Sequence, residues 1–350
     1  MNVPEPIDQD LDRYSRQIRY AHLGQDGQRR LLASRVLVCG CGALGSVLAS
    51  TLARAGVGQL RVVDRDFLEL NNLQRQVLFD EQDVAAQLPK AIAAAHKLRA
   101  INSQIEIEPV VADVDHTNIE RLCAGVDLIV DGTDNFETRF LVNDAAVKLG
   151  IPWVYGGCLA SEGQTMTIVP GRTACLRCLM PEPPAAGTTP TCDTAGVVAP
   201  IIGVIASIQS MEAIKILSGH ADAIQRTLTV IELWEGRIRQ IKLDTLREAA
   251  DCPACDRREF PWLAGERGSH SAVLCGRNAV QLNHRGGSPL ELERLAAKLA
   301  GVGRVTRNAF LLRLAVDDYL LTIFPDGRAI VGGTDDVAIA RSVYAKYVGN

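Results

Sequence analysis

No excess of one charge, no long apolar run and no histidine cluster occurs in this 350-residue chain, and each absence removes a class of function. Its 37 basic and 41 acidic side chains give a formal charge of −4, whereas nucleic-acid binders carry a clustered basic excess that neutralises phosphates. No nucleic-acid partner is expected. The longest apolar stretch, around residues 197–208, is cut by Pro200 and Gly203. It falls short of the roughly 18 residues that a membrane span needs, so no membrane partner is expected either. The N-terminal MNVPEPIDQDLDRYSRQ is acidic and lacks the apolar core of an export signal, so the expected compartment is the cytoplasm. His22, His96, His116, His220, His270 and His284 are scattered along the chain, which leaves a histidine metal site or a Ser-His-Asp triad without support.

At 47% apolar residues, the length supports one large core plus a smaller unit. Residues 11–33 read as helix, with Leu11, Tyr14, Ile18, Leu31 and Leu32 apolar at helical intervals. The run Arg35-Val-Leu-Val-Cys39 is short, apolar and β-branched, as expected of a strand buried on both faces of a parallel sheet. A glycine-rich turn over 40–45, a helix over 46–55 and a second strand over 59–63 follow. The alternation continues with helix at 90–100, strand at 105–111, helix near 117–122, strand at 127–130 and helix at 137–149. This pattern implies an α/β fold, a Rossmann-like, doubly wound and mostly parallel sheet, with ligands beyond the carboxyl ends of the strands.

After Pro152, strands are expected at 153–155 and 164–169, a proline-rich loop at 181–190 and a helix at 200–217. Residues 249–270 read as a linker or a closing metal knuckle. Beyond them, residues 271–350 read as a small C-terminal α+β unit, with strands near 279–282, 311–315, 319–324 and 329–331 and helices at 290–299 and 336–347. The expected division is an N-terminal helical segment (1–34), a nucleotide-binding domain (35–265) and an accessory domain (266–350).

Gly40, Gly42 and Gly45 spell GxGxxG directly between a strand and a helix. Backbone N–H groups at a helix N-terminus are thereby bared toward an anion, and a Cβ would block its approach. Asp64 closes the second strand 19 residues after Gly45, where an acid can hydrogen-bond a ribose hydroxyl. NAD is the default partner of such a pair. The neighbours fit it poorly: Asn71-Asn72-Leu-Gln-Arg75, Lys90 and Asp131-Gly-Thr-Asp134-Asn135 put cations, amides and acids around the strand ends. Those groups suit a triphosphate with Mg²⁺, whose charge develops during phosphoryl or nucleotidyl transfer.

Together with Arg13-Tyr-Ser-Arg16-Gln-Ile, these motifs resemble the ThiF/MoeB/HesA family, bacterial relatives of ubiquitin-activating (E1) enzymes, from about residue 10 to residue 258. The resemblance implies an ATP-dependent adenylyltransferase acting on the C-terminal glycine of a ubiquitin-like sulfur-carrier protein that ends in Gly-Gly. It also implies that Gly42 and Ala43 line the phosphates, that Asp64 takes the ribose, and that Asn72, Arg75 and Lys90 meet the phosphates. Asp134, beside Asn135, would hold Mg²⁺. Arg16 resembles the family arginine that reaches into a partner subunit's site, which implies a homodimer with residues 1–34 as the dimer arm. Ala43 stands where the family often has glycine, and the loop before Lys90 lacks a glycine often found there.

Ten cysteines remain to be placed. Cys175-Leu-Arg-Cys178 and Cys252-Pro-Ala-Cys255 are two CxxC knuckles separated by 73 residues. Two knuckles supply the four thiolates of a structural Zn²⁺ site; a redox CxxC normally stands alone at a helix start. Cys192, in Thr191-Cys-Asp-Thr-Ala-Gly196, is expected as an exposed thiol on a mobile loop. The resemblance places there the cysteine that some members use to bond the activated carrier, while others carry it without needing it. Cys39, Cys41, Cys123, Cys158 and Cys275 read as buried small hydrophobes. The carrier stays open between thiamine, molybdopterin, cysteine and tRNA thiolation, with a sulfurtransferase or cysteine desulfurase as a further partner. Two rivals are an NAD-dependent dehydrogenase, for which no proton-relay residue stands out, and a non-catalytic nucleotide-binding scaffold.

Overall fold

β1 (Arg35–Cys39) is buried from Val36 to Cys39, because its side chains face apolar layers on both sides of a sheet. The computed structural model describes residues 8–184, 190–249, 251–267, 271–274, 278–282 and 290–348, which fall into two units, Met1–Arg267 and Gly268–Asn350. Cys275, His270 and His284 lie outside the described residues, as does part of the proline-rich loop.

In the first unit β1 pairs in parallel with β2 (Gln59–Val63) and with β4 (Leu128–Asp131). β3 (Glu106–Val110) extends the parallel sheet beside β2, and β5 (Trp153–Leu159) extends it beside β4. β6 (Glu162–Ile168), β7 (Thr227–Glu232) and β8 (Arg237–Lys242) then run antiparallel. The order is β3-β2-β1-β4-β5-β6-β7-β8, a doubly wound sheet whose strand order turns back at β1. Ligands of such sheets bind at that switch point.

Eleven helices accompany these strands among the described residues of this unit: α1 (Ser15–Ile18), α2 (Gly24–Ala33), α3 (Ala43–Ala55), α4 (Glu81–Ala85), α5 (Lys90–Ile101), α6 (Ile119–Leu122), α7 (Phe136–Leu149), α8 (Leu176–Leu179), α9 (Cys192–Ala195), α10 (Ala199–Leu217) and α11 (Asp244–Ala249). On one sheet face, Leu48 and Leu52 of α3, Leu98 of α5 and Ile202 and Ile205 of α10 meet Val36, Val38 and Val62. On the other, Phe140 of α7 meets Leu37, Cys39, Ile129 and Trp153. α10 is long and apolar enough to cross a membrane. It is a core helix, for it buries Ile201, Ala206 and Ala213 together with the polar Gln209 and Glu212.

The structure departs from these expectations in two places. The helix expected over 11–33 is broken into a 3₁₀ turn, α1 and α2; Gly24, at φ +60, turns the chain between them, with the N–H groups of Leu23 and Gly24 both donating to the Tyr20 carbonyl. The β7–β8 hairpin was not anticipated, because every residue of β8 is exposed and carries no apolar period. Of the two readings of residues 249–270, the closing knuckle holds and the linker does not: Cys252, Ala254, Trp262 and Leu263 are buried in the core of the first unit.

The second unit is α+β. β9 (Ser271–Leu274), β10 (Ala279–Leu282), β11 (Arg304–Arg307), β12 (Leu312–Val316), β13 (Tyr319–Ile323) and β14 (Ala329–Gly332) form an antiparallel sheet in the order β11-β12-β13-β14-β10-β9. α12 (Leu292–Leu299) and α13 (Val337–Tyr347) bury Leu295, Leu299, Val343 and Tyr344 against Val280, Leu314, Leu321 and Val331.

Candidate active site

The glycine turn joins β1 to α3 through contacts that exclude side chains. Gly40 adopts φ +86, and a Cβ on Gly45 would lie 1.9 Å from the Gly40 carbonyl oxygen. Gly132, just past β4, closes the same knot, since its Cβ would lie 2.4 Å from that oxygen. Gly40, Gly45 and Gly132 therefore serve packing. Gly42 is different: it is the N-cap of α3 with no side-chain cap, and its Cβ would meet only Gln76 Nε2, at 3.9 Å. Uncapped N–H groups, those of Ala43 and its neighbours, face this open space at the positive end of a helix dipole. Gln76 is buried and its Oε1 has no hydrogen-bond partner among the described residues. The N–H groups suit an anion such as a phosphate; the orphaned Gln76 Oε1, an acceptor, calls for a donor instead.

Asp64 ties the turn to the end of β2. Its Oδ2 accepts from the Cys41 N–H at 2.7 Å and its Oδ1 from the Asp66 N–H at 2.7 Å. Burial raises its pKa above the usual carboxylate value, while Lys90 pulls it down. Each oxygen keeps a lone pair for a ribose hydroxyl. Lys90 is buried at the start of α5, with Nζ 3.2 Å from Asp66 Oδ2. Asn72 is buried and locks a local turn, its Oδ1 accepting from the Glu69 N–H and its Nδ2 donating to Asn71. Arg75 is half-buried and donates to the Asn71 carbonyl at 3.0 Å.

Across the switch point, Asp134 is exposed, with Asn135 Nδ2 at 3.5 Å from its Oδ1. The Asn135 side-chain oxygen caps α7 by accepting from the Thr138 N–H at 2.8 Å. Beneath them lies a network that the sequence reading missed. Asp131 and Arg139 are both buried and 3.2 Å apart. Arg139 also donates to the carbonyls of Thr133 and Gly156 and lies over the Tyr155 ring at 5.3 Å. The available signal was Arg139 set against the apolar run Phe140-Leu-Val142 of α7.

Arg16 is not among these groups. It is exposed on α1, whose neighbour Gln17 donates to Ala55 O at the far end of α3. That 13-residue helix is roughly 20 Å long at about 1.5 Å per residue, which separates Arg16 from the turn at the other end.

Cys192 opens α9 but is half-buried rather than exposed. Its Sγ lies 3.3 Å from the Cys158 carbonyl, because a bridge between Ala160 and Val197 stitches the loop to the end of β5. Cys158 is likewise half-buried, a correction to the buried reading; desolvation pushes its thiol up to about 12. Cys39, Cys41 and Cys123 are buried as expected.

Cys175, Cys178, Cys252 and Cys255 converge, with all four sulfurs within 4.8 Å of one another. Adjacent pairs stand 3.7 Å (Cys175–Cys252), 3.8 Å (Cys178–Cys255) and 3.9 Å (Cys175–Cys178) apart. A tetrahedron with metal–sulfur bonds of about 2.3 Å has edges of about 3.8 Å, so the tetrad has the size and donor set of a zinc site. Asn143 of α7 supports it, with Nδ2 3.7 Å from Cys175 Sγ and Oδ1 accepting from the Leu176 N–H.

The ThiF family model matches residues 14–254. A Bacillus subtilis (strain 168) protein described as sulfur carrier protein ThiS adenylyltransferase is 44% identical over 338 residues, 96% of this chain and 99% of that protein. The SAMP-activating enzyme E1 of Haloferax volcanii is 43% identical over 245 residues, covering 70% of this chain and 88% of that one. Among solved structures, E. coli MccB crystallised with ATP superimposes with a TM-score of 0.61 at 23% identity, covering 71% of this chain and 75% of the other. At that identity the likeness is one of fold.

Proposed function

The chain belongs to the ThiF family, and on that premise we propose that it adenylates the C-terminal glycine of a ubiquitin-like sulfur-carrier protein of the ThiS or MoaD type, serving thiamine or molybdopterin synthesis. The observation that carries this reading is the open, uncapped turn at Gly42, set between the buried Lys90 and the exposed Asp134. It is a place for a triphosphate with cations on one side and an acid on the other.

The carrier's terminal carboxylate attacks the α-phosphorus of ATP, the bond to the β-phosphate bridge breaks, and pyrophosphate leaves with that electron pair. A carboxylate is already ionised at neutral pH, so no general base is needed; alignment and charge stabilisation do the work. In this reading the α3 N–H groups and Asn72, Arg75 and Lys90 receive the phosphates, and Asp64 orients the ribose. Asp134 is the acid offered to Mg²⁺, which when bound neutralises charge on the phosphates.

The geometry of α1 supports a homodimer. Arg16 lies beside the distal end of α3, so its proposed contact with phosphate is with the site of a partner subunit. The cysteine tetrad is proposed to hold Zn²⁺ structurally, fastening residues 252–255 to α7 and α8. Cys192, close to β5, is proposed to act after adenylation, with a sulfurtransferase or cysteine desulfurase as sulfur source, and residues 266–350 to help grip the carrier. The cytoplasm, where ATP is available, is the proposed compartment.

Carrier-dependent exchange of labelled pyrophosphate into ATP tests the reading. Exchange is expected with wild type, absent in Arg75→Ala and Asp134→Ala and retained in Cys192→Ala. ATP binding without exchange, with every Gly-Gly-terminated carrier tried, would instead favour a nucleotide-sensing scaffold.

A further inference from the structure

Arg65 follows the nucleotide acid Asp64 at the end of β2 and belongs to none of the motifs discussed above. Its Nη1 lies 3.1 Å from both carboxylate oxygens of Asp113, beyond β3, and its Nε lies 3.8 Å from Asp66 Oδ1. Asp66 is in turn bonded to Lys90 Nζ and, through its N–H, to Asp64. One guanidinium thus spans the ends of two adjacent strands while its partner acid touches two proposed nucleotide ligands.

We propose that Arg65 is a positioning residue that straps β2 to β3 beside Asp64 and so holds Asp64, Asp66 and Lys90 in register for the nucleotide. The inference rests on the adenylation reading of the same site. With Arg65 in place, Asp66 stays between Lys90 and the Asp64 loop, so the ribose acid and the lysine keep their spacing.

Two measurements test it: titration calorimetry of a non-hydrolysable ATP analogue into the full chain without carrier, and KM and kcat for ATP in carrier-dependent exchange. Arg65→Ala is expected to weaken analogue binding about tenfold and to raise KM for ATP with a smaller effect on kcat. Arg65→Lys is expected to restore neither, since one ammonium cannot bridge Asp113 and Asp66 from two nitrogens. Asp113→Asn, which loosens the strap and keeps the cation, is expected to raise KM in the same way, and it carries the test if Arg65→Ala does not fold. Unchanged analogue affinity and unchanged KM in Arg65→Ala, or full rescue by Arg65→Lys, would overturn the proposal. Wild type that fails to exchange with any carrier would instead sink the adenylation reading, while the calorimetry would still judge Arg65.

Discussion

Adding one methyl group at two glycines of the same turn should have opposite consequences. At Gly45 a Cβ would lie 1.9 Å from the Gly40 oxygen and 2.8 Å from its carbon, both backbone atoms that cannot swing aside. Relief requires prising α3 from β1 in the middle of the core, so Gly45→Ala should cost at least the roughly 3 kcal/mol at the upper end of ordinary overpacking. At Gly42 the nearest atom to a new Cβ is a side-chain nitrogen at 3.9 Å, so Gly42→Ala should destabilise far less than Gly45→Ala. That methyl would nevertheless occupy the space over the α3 N–H groups. If the triphosphate lies there, ATP affinity should fall at least about tenfold, or about 1.4 kcal/mol. Thermal melts followed by circular dichroism measure the first quantity and titration calorimetry with a non-hydrolysable ATP analogue the second. A Gly42→Ala protein that binds the analogue like wild type, or a Gly45→Ala protein that melts like wild type, would refute the division of labour assigned to the two glycines.

Other expectations follow from buried groups. Arg139→Met should destabilise by about 3 to 5 kcal/mol, because it strands the Asp131 carboxylate in the core; urea titration checks this, and Asp131→Asn combined with it should recover part of the loss. Desolvation raises Asp144, paired with the buried Arg177, from 3.8 to about 6. The folded protein then holds a proton that the unfolded chain has already lost between these values, so this group's stabilising contribution is full below pH 3.8 and is lost as pH rises through about 6. Carboxyl carbon NMR should place its midpoint near 6, and in Asp144→Asn that part of the pH dependence should vanish. The Cys158 thiol, pushed up to about 12, should resist iodoacetamide at pH 8; peptide mapping that finds it labelled as fast as a free thiol would contradict this. Chelation should release one zinc per chain and lower the melting temperature, and Cys178→Ser should copy the effect without added chelator.

Much of this site was legible because its signals are local in sequence. The glycine turn follows a run of β-branched and apolar residues, and Asp64 ends the next strand, so strand–turn–helix spacing alone brings them together. The four cysteines were legible for another reason: two knuckles on distant segments have one economical use. The remainder depends on which strand ends become neighbours. Arg65 and Asp113 are 48 positions apart and meet only because β2 pairs with β3. The Asp131–Arg139 pair is invisible until α7 is laid on the sheet. Cys192 looked exposed because its loop is rich in small and polar residues, and the bridge of Ala160 to Val197 that draws it in leaves no trace in composition. β8 failed for the simplest reason: an edge strand exposed on both faces has no period to read.

The most direct test of the central claim is the mass of the carrier itself. A Gly-Gly-terminated sulfur carrier incubated with this protein, ATP and Mg²⁺, then quenched in acid, should gain one adenylyl group, and should gain none when its last glycine is removed. An unmodified carrier alongside bound ATP would contradict the account.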